Sequence, residues 1–324
     1  MRVEYSHDVL LPRVALVCAL LVITIVGLSA FIRLSGAGLG CSPWPQCYGQ
    51  VAHIEQRGIL QTAIAPTSTA ITVARFSHRI LAVLLLPLML VLVAGGFSKK
   101  SEPWSERWVA LFALGLVLFL AVLGRWTAGA RVPAVTLGNL LGGFMLCALC
   151  WRMACSGSRL LVGGALSGRA NAWAWVAVLL LLSQIALGGY VSSTFAGLSC
   201  PNVYGCDLPN PVSWDVLNPL REPTVNSNSV PVNAELALVH ALHRWTGAAA
   251  ALAVIVAGIG TLGTGLRSMG LILMALIGIQ LALGLLLIYT ELSLVIAVAH
   301  NVVAAMLLAS LLGIIRVHGT HQRL

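Results

Sequence analysis

The chain has 324 residues, of which 59% are hydrophobic and only 9% are charged, with a net charge of +9. Soluble globular domains carry about 25% charged residues, so this few charges cannot cover a water-facing surface. The composition excludes a soluble enzyme, a disordered chain and a small secreted disulfide-framework domain, and it predicts an all-α protein that crosses a membrane several times.

Eight apolar runs are long enough to cross the hydrocarbon core as helices, which takes about 20 residues each. The first run is longer than the apolar core of a signal peptide, about 7–15 residues, so we interpret it as a span and not as a cleaved leader. Two connections are long, residues 35–76 and 195–236, and the other five suit tight hairpins. The predicted spans are residues 13–34, 77–97, 108–128, 133–153, 172–194, 237–262, 268–289 and 293–315.

The distribution of charge between the two sides of these spans predicts the orientation. The side that holds both termini has 11 cations and four acids, a balance of +7, and the other side has eight cations and six acids, a balance of +2. Cytoplasmic loops are enriched in Lys and Arg, so we expect cytoplasmic termini and both long loops outside. This bias accounts for the basic composition without a nucleic-acid partner.

Repeated motifs also indicate that the two halves of the chain arose by internal duplication. The motif Ala37-Gly-Leu-Gly-Cys41 returns as Ala196-Gly-Leu-Ser-Cys200, an offset of 159 residues. Four spans per half give parallel repeats, so we predict two pseudosymmetric four-helix bundles, residues 13–153 and 172–316. Further echoes in the same order are Cys47 with Cys206, His78-Arg79 with His243-Arg244, and Asn139-Leu-Leu-Gly-Gly with His300-Asn-Val-Val-Ala; Gln184-x3-Gly188 also resembles Gln280-x3-Gly284.

The cysteines divide into loop pairs and membrane residues. Each long loop carries a C-x5-C pair, Cys41 with Cys47 and Cys200 with Cys206, on the side where disulfides form. We expect each pair to lie within disulfide reach, about 4.4–6.8 Å between Cα atoms, either as a structural bridge or as a redox-active pair. Zinc is disfavoured because no histidine lies at ligand spacing from either pair. The remaining cysteines are expected to pack in the spans: Cys18, Cys147, Cys150 and Cys155.

Four histidines lie at or within the predicted spans, where ionisable groups usually mark a functional site. His243 lies near the outer end of the sixth span, and His300 lies about 10 Å below the outer surface in the eighth. At similar depths in one bundle, the two imidazoles are able to supply both axial ligands of a heme iron. Arg244, and Arg79 beside His78, suit a propionate carboxylate. His240 is expected at the rim and not on iron.

Together these motifs closely resemble the heme A synthase family of cytochrome oxidase assembly. The residues that carry the resemblance are the two four-helix halves, Gly36-x-Gly38-Leu-Gly-Cys41-x2-Trp44-Pro-x-Cys47, His78-Arg79, Pro133-x5-Asn139-Leu-Leu-Gly-Gly, His240-x2-His243-Arg244 and Ala297-Val-Ala-His300-Asn301. The resemblance implies oxidation of the C8 methyl of heme O to the formyl of heme A, for cytochrome c oxidase biogenesis. It also implies heme b between His243 and His300, and the substrate heme in the N-terminal half beside His78.

The N-terminal half departs from the family pattern at two positions. Asn139 stands where the family has a second histidine, and Arg75 stands where it has a glutamate three residues before His78. An amide is a poor ligand for heme iron, so His78 alone would leave the iron five-coordinate. No residue is assigned to the chemical step itself.

The sequence is compatible with three functions. They are a heme O-oxidising, heme A-forming enzyme, a heme b-binding electron carrier or assembly factor that has lost catalysis, and a transporter. The transporter is disfavoured because the spans lack intramembrane acids. Expected partners are heme O, heme O synthase, oxidase assembly factors, membrane lipid and a second copy of the chain. The expected location is the bacterial plasma membrane.

Overall fold

The computed structural model describes residues 7–36, 39, 48, 69–98, 106–127, 132–156, 166–203, 205–222 and 234–315. Its long helices are α1 (His7–Gly36), α2 (Thr69–Ser98), α3 (Arg107–Thr127), α4 (Pro133–Cys155), α5 (Gly168–Ser193), α6 (Ala237–Ile259), α7 (Arg267–Tyr289) and α8 (Leu294–Ile315). Each is long and apolar enough to cross a membrane. The prediction of an all-α, multi-pass membrane protein with eight spanning helices is therefore confirmed.

Helix α2 differs most from its predicted span. It begins at Thr69, eight residues before the predicted start at 77. The hydropathy of the sequence falls at Arg75, His78 and Arg79, but a helix satisfies its own backbone hydrogen bonds and continues through such residues. His78 consequently lies inside α2 and not at its first turn.

The helices pack along the same neighbour pairs in each half of the chain. In the first half α1 contacts α2, α2 contacts α3, α3 contacts α4, and α4 returns to α1. In the second half α5 to α8 follow the same order and close on α5. Contacts of α4 with α8, α1 with α8 and α4 with α5 join the halves. The pattern agrees with a duplicated four-helix unit, and the two-fold relation of the halves stays an interpretation.

Helix α8 is the central element of this packing. It contacts α7 and α5 in its own half and α1 and α4 in the other. Its C-terminal half is buried through Leu307, Leu308, Leu311 and Ile314. Small residues let neighbouring helices approach, as at Gly313, where an added Cβ would lie 3.1 Å from Trp151 Nε1. His300 lies in the opposite half of the same helix.

The segment between α5 and α6 folds over the ends of the helices. The Tyr190 hydroxyl donates to the carbonyls of Val216, at 2.7 Å, and Asn218, at 3.0 Å. The Ala134 amide at the start of α4 donates to the Pro219 carbonyl at 2.9 Å, which ties this segment to the first half. These contacts satisfy backbone groups that would otherwise be left without partners at the helix ends.

The cysteines fall largely as predicted. Cys200 and Cys206 form a disulfide with 4.9 Å between their Cα atoms, which confirms that pair. Cys41 and Cys47 lie outside the described residues. The four remaining cysteines are free thiols in or against the hydrophobic core, as expected for packing residues: Cys18, Cys147, Cys150 and Cys155.

Candidate functional site

His243 of α6 is held by two residues of α5. Its Nε2 lies 3.3 Å from Nε2 of Gln184. A Cβ added to Gly188 would lie only 2.8 Å from the imidazole Cε1, so the ring occupies the space that this glycine leaves open. Residues four apart lie on one face of a helix, and Gln184 and Gly188 therefore form a single cradle for the imidazole.

A hydroxyl orients the amide of this cradle. Thr246 Oγ1 donates to Gln184 Oε1 at 2.6 Å, so the amide nitrogen of Gln184 faces His243. In this arrangement Nε2 of His243 accepts a hydrogen bond and the ring proton resides on Nδ1. The lone pair of Nε2, through which a neutral imidazole of this tautomer would bind a metal, then points toward Gln184.

His300 of α8 lies in a matching cradle on α7. Its Nε2 lies 3.1 Å from Nε2 of Gln280, and a Cβ added to Gly284 would lie 3.4 Å from its Cε1. The two imidazoles are close enough for charges on them to interact. The two Gln-x3-Gly motifs of the sequence therefore form two helix faces, and each of them contacts one histidine ring. The repeat is visible in the sequence, but the sequence alone assigns neither glutamine nor Thr246 to the site.

Both histidines remain incompletely satisfied. Nδ1 of His243 and Nδ1 of His300 are buried with no hydrogen-bond partner in the described structure. Oε1 of Gln280 is likewise buried and unpartnered. Buried polar atoms are normally hydrogen-bonded, and several exceptions in one place point to a missing ligand.

Arg244 and His240 connect this site to the disulfide loop. The guanidinium of Arg244 donates to the carbonyls of Cys200, at 2.6 Å, and Asn202, at 2.5 Å. Its Nε is buried without a partner and is free to meet a carboxylate. His240 is buried, and its Nδ1 lies 3.0 Å from the carbonyl of Ala196.

The first half has no corresponding arrangement. His78 is half-buried in α2, while Arg75 and Arg79 are exposed. No described hydrogen bond joins His78 to Asn139 of α4. At the repeat offset of 159 residues, Gln184 and Gly188 correspond to Ile25 and Ser29, so the α5 cradle has no counterpart in α1.

The comparisons with known proteins cover almost the whole chain. The model of the family described as cytochrome oxidase assembly protein matches residues 12–312. The chain belongs to that family. Similar relatives are the heme A synthases of Shewanella oneidensis, 33% identical over 94% of each chain, and Sphingopyxis alaskensis, 25% identical over 90% of this chain and 87% of the relative. The heme A synthase of Rhizorhabdus wittichii is 27% identical over 92% and 90%.

The described residues fit a heme held by two histidines. Each imidazole has a single polar contact, an amide that a ligand can displace, and small residues lie beside both rings. No group of three or more His, Cys, Asp and Glu side chains able to hold a metal ion occurs among the described residues. A heme needs only two axial side chains because the porphyrin supplies four nitrogen ligands.

Proposed function

We propose that this chain is a heme A synthase-type membrane oxidoreductase that converts the C8 methyl of heme O to the formyl of heme A, for cytochrome c oxidase biogenesis. The observation that carries the proposal is the pair of imidazoles, His243 and His300, each held in a Gln-x3-Gly cradle. The family membership and the relatives described as heme A synthases support the same reaction.

In this proposal His243 and His300 would hold heme b in the half spanning residues 172–316. A bound heme b would supply one-electron transfer at its iron. The Gln184 and Gln280 amides would give up their contacts with the imidazoles, and Gly188 would leave room for the His243 ring. Arg244 pairs its free Nε–H with a propionate while its other nitrogens hold the loop carbonyls. The Cys200–Cys206 disulfide closes the loop whose carbonyls Arg244 contacts.

The substrate heme O belongs to the half spanning residues 13–153, with His78 on its iron and Arg79 near a propionate. Conversion of a methyl to a formyl group removes four electrons and adds one oxygen atom, so an electron acceptor must act with the protein. His78 offers a single ligand there, since Asn139 makes no described contact with it. An open iron position suits oxygen chemistry.

The second candidate is a heme b-binding electron carrier or oxidase assembly factor. It is favoured by the first half, where Arg75 is exposed and Asn139, not a histidine, stands at the position that the repeat aligns with His300. Heme extraction after co-expression with an enzyme that supplies heme O separates the two. Heme A in the extract supports the enzyme, and heme B with unchanged heme O supports the carrier. A His78→Ala variant should abolish heme A formation while heme b stays bound.

We further propose a bacterial plasma-membrane location with cytoplasmic termini. Eight crossings bring the start of α1 and the end of α8 to the same side, and the loop charge balance of +7 against +2 selects the cytoplasm. Heme O synthase, oxidase assembly factors, membrane lipid and a second copy of the chain are the proposed partners. A C-terminal reporter active only outside the cytoplasm would contradict this orientation.

A further inference from the structure

Arg33 is a cation within a membrane span of the first half. It lies near the outer end of α1 and is half-buried. A charged side chain inside a span is energetically costly, so such residues usually pair with other protein groups and have a functional role.

The guanidinium of Arg33 reaches across to the second half. Its Nη2 donates to Asn301 Oδ1 at 3.1 Å, and its Nη1 donates to Ser192 Oγ. Both partners are fixed by their own helices, because Asn301 Nδ2 donates to the Ala297 carbonyl at 2.8 Å and Ser192 Oγ to the Gly189 carbonyl at 2.9 Å. The amide oxygen of Asn301 therefore faces Arg33 in a set orientation.

These partners are next to the two cradled histidines. Asn301 follows His300 in α8, and Ser192 lies one turn beyond Gly188, which packs against His243. One guanidinium from α1 thus contacts two of the four helices, α5 and α8, that form the site in the second half. Arg33 and Ser192 are also 159 residues apart, the offset of the repeated motifs. Equivalent residues of a two-fold repeat meet only beside its axis, so Arg33 lies at the boundary between the halves.

No carboxylate neutralises Arg33 within the described structure. The described ion pairs join Arg152 to Glu106 and Arg221 to Asp215. Tyr48 is near enough to interact with Arg33, but burial raises the pKa of its phenol well above the usual value, so the phenol is neutral at pH 7. A positive charge beside a buried iron ligand favours the reduced, less positive state of the iron.

We propose that Arg33 is a positioning residue of the heme b site, contributed by the other half of the chain, which sets the orientation of His300 through Asn301 and raises the reduction potential of the iron. This inference rests on the proposed heme b site.

The test compares purified full-length variants by optical and EPR spectra and by redox titration of heme b. Arg33→Gln should keep bound heme b but shift the low-spin EPR signal and lower the midpoint potential. Asn301→Ala should shift the EPR signal in the same way, and the double variant should shift it no further than either single variant, because both break one contact. Arg33→Lys keeps the charge without the forked geometry, so it should restore the potential more than the EPR signal. Arg267→Gln, at the exposed start of α7, is the control and should change neither.

The outcomes separate this inference from the proposed function. Wild-type protein that binds no heme b would overturn both. Heme b bound in Arg33→Gln with an unchanged EPR signal and an unchanged potential would overturn the role of Arg33 alone. If Arg33→Gln does not accumulate, Arg33→Lys and Asn301→Ala decide, and wild-type EPR signals in both would likewise overturn it.

Discussion

The two halves of this chain share a helix order but differ in what they offer a heme. In the second half, His243 and His300 each lie against a glutamine and a glycine of the preceding helix. In the first half, His78 is half-buried, and Asn139 stands at the position that the repeat aligns with His300. Under the proposed function, the second half keeps a closed cofactor site while the first half retains an open one. A reaction that needs both an electron carrier and an accessible substrate iron benefits from such a division.

The largest expected effect comes from removing a proposed axial ligand. His243→Ala and His300→Ala should each abolish the low-spin heme b spectrum, because a lone axial imidazole leaves the iron five-coordinate and high-spin. His240→Ala is the matched control, since Nδ1 of that residue contacts the Ala196 carbonyl. Optical and EPR spectra of the purified variants are the measurement. A wild-type spectrum in either ligand variant would remove this assignment.

The second prediction introduces a second imidazole into the first half, so that this half resembles the second one. Asn139→His should place a second imidazole opposite His78 and raise bound low-spin heme from about one to about two per chain. The same change should lower heme A formation, because the iron loses its free position. Heme content per chain and activity are measured together. In the Asn139→His background, His78→Ala should remove the additional heme, and an additional signal that persists there would contradict the pairing of these two positions.

The cradle glycines allow a comparison within the second half. Gly188→Ala should displace the His243 ring, because the added Cβ would lie 2.8 Å from Cε1, whereas Gly284→Ala places a Cβ at an ordinary 3.4 Å from His300. Overpacking a buried site costs about 1–3 kcal/mol, so heme b affinity should fall about tenfold in the first variant. The second should remain close to wild type. Equal affinities, measured by heme titration, would show that the cradle does not restrain His243.

The smallest expected effect concerns the hydroxyl that orients Gln184. Thr246→Val removes the 2.6 Å bond to Gln184 Oε1 and should destabilise the protein by about 0.6 kcal/mol, typical of a hydrogen bond within a membrane protein. Thr290→Val is the control, since the Thr290 hydroxyl donates to the carbonyl of Leu286 in its own helix, as Thr246 does to Leu242, and its other described hydrogen bond is a long one, 3.4 Å, from the Ser293 amide. Denaturant unfolding of the two variants gives the difference. A loss in Thr290→Val as large as in Thr246→Val would show that the Gln184 contact contributes nothing.

Much of the fold was accessible from the sequence, because spanning helices are determined locally. Length and hydropathy predicted eight spans close to their observed bounds, apart from the early start of α2 at Thr69. The C-x5-C spacing predicted the Cys200–Cys206 bridge. Ionisable residues in apolar runs marked His243 and His300 as a candidate site. Each of these inferences needs only the chemistry of a short segment and the cost of burying polar groups in lipid.

The partners of those residues were decided by tertiary structure alone. Gln184 and Gly188 contact His243 from 59 and 55 residues away in the sequence. Arg33 contacts Asn301 from 268 residues away. Nothing in a short segment specifies which of several apolar helices will be its neighbour, since lipid and protein interiors are similarly apolar. Close packing of small residues and a few interhelical hydrogen bonds make that choice. The sequence therefore determined which residues enter the membrane, and only the packing of α1, α5, α7 and α8 determined which of them meet.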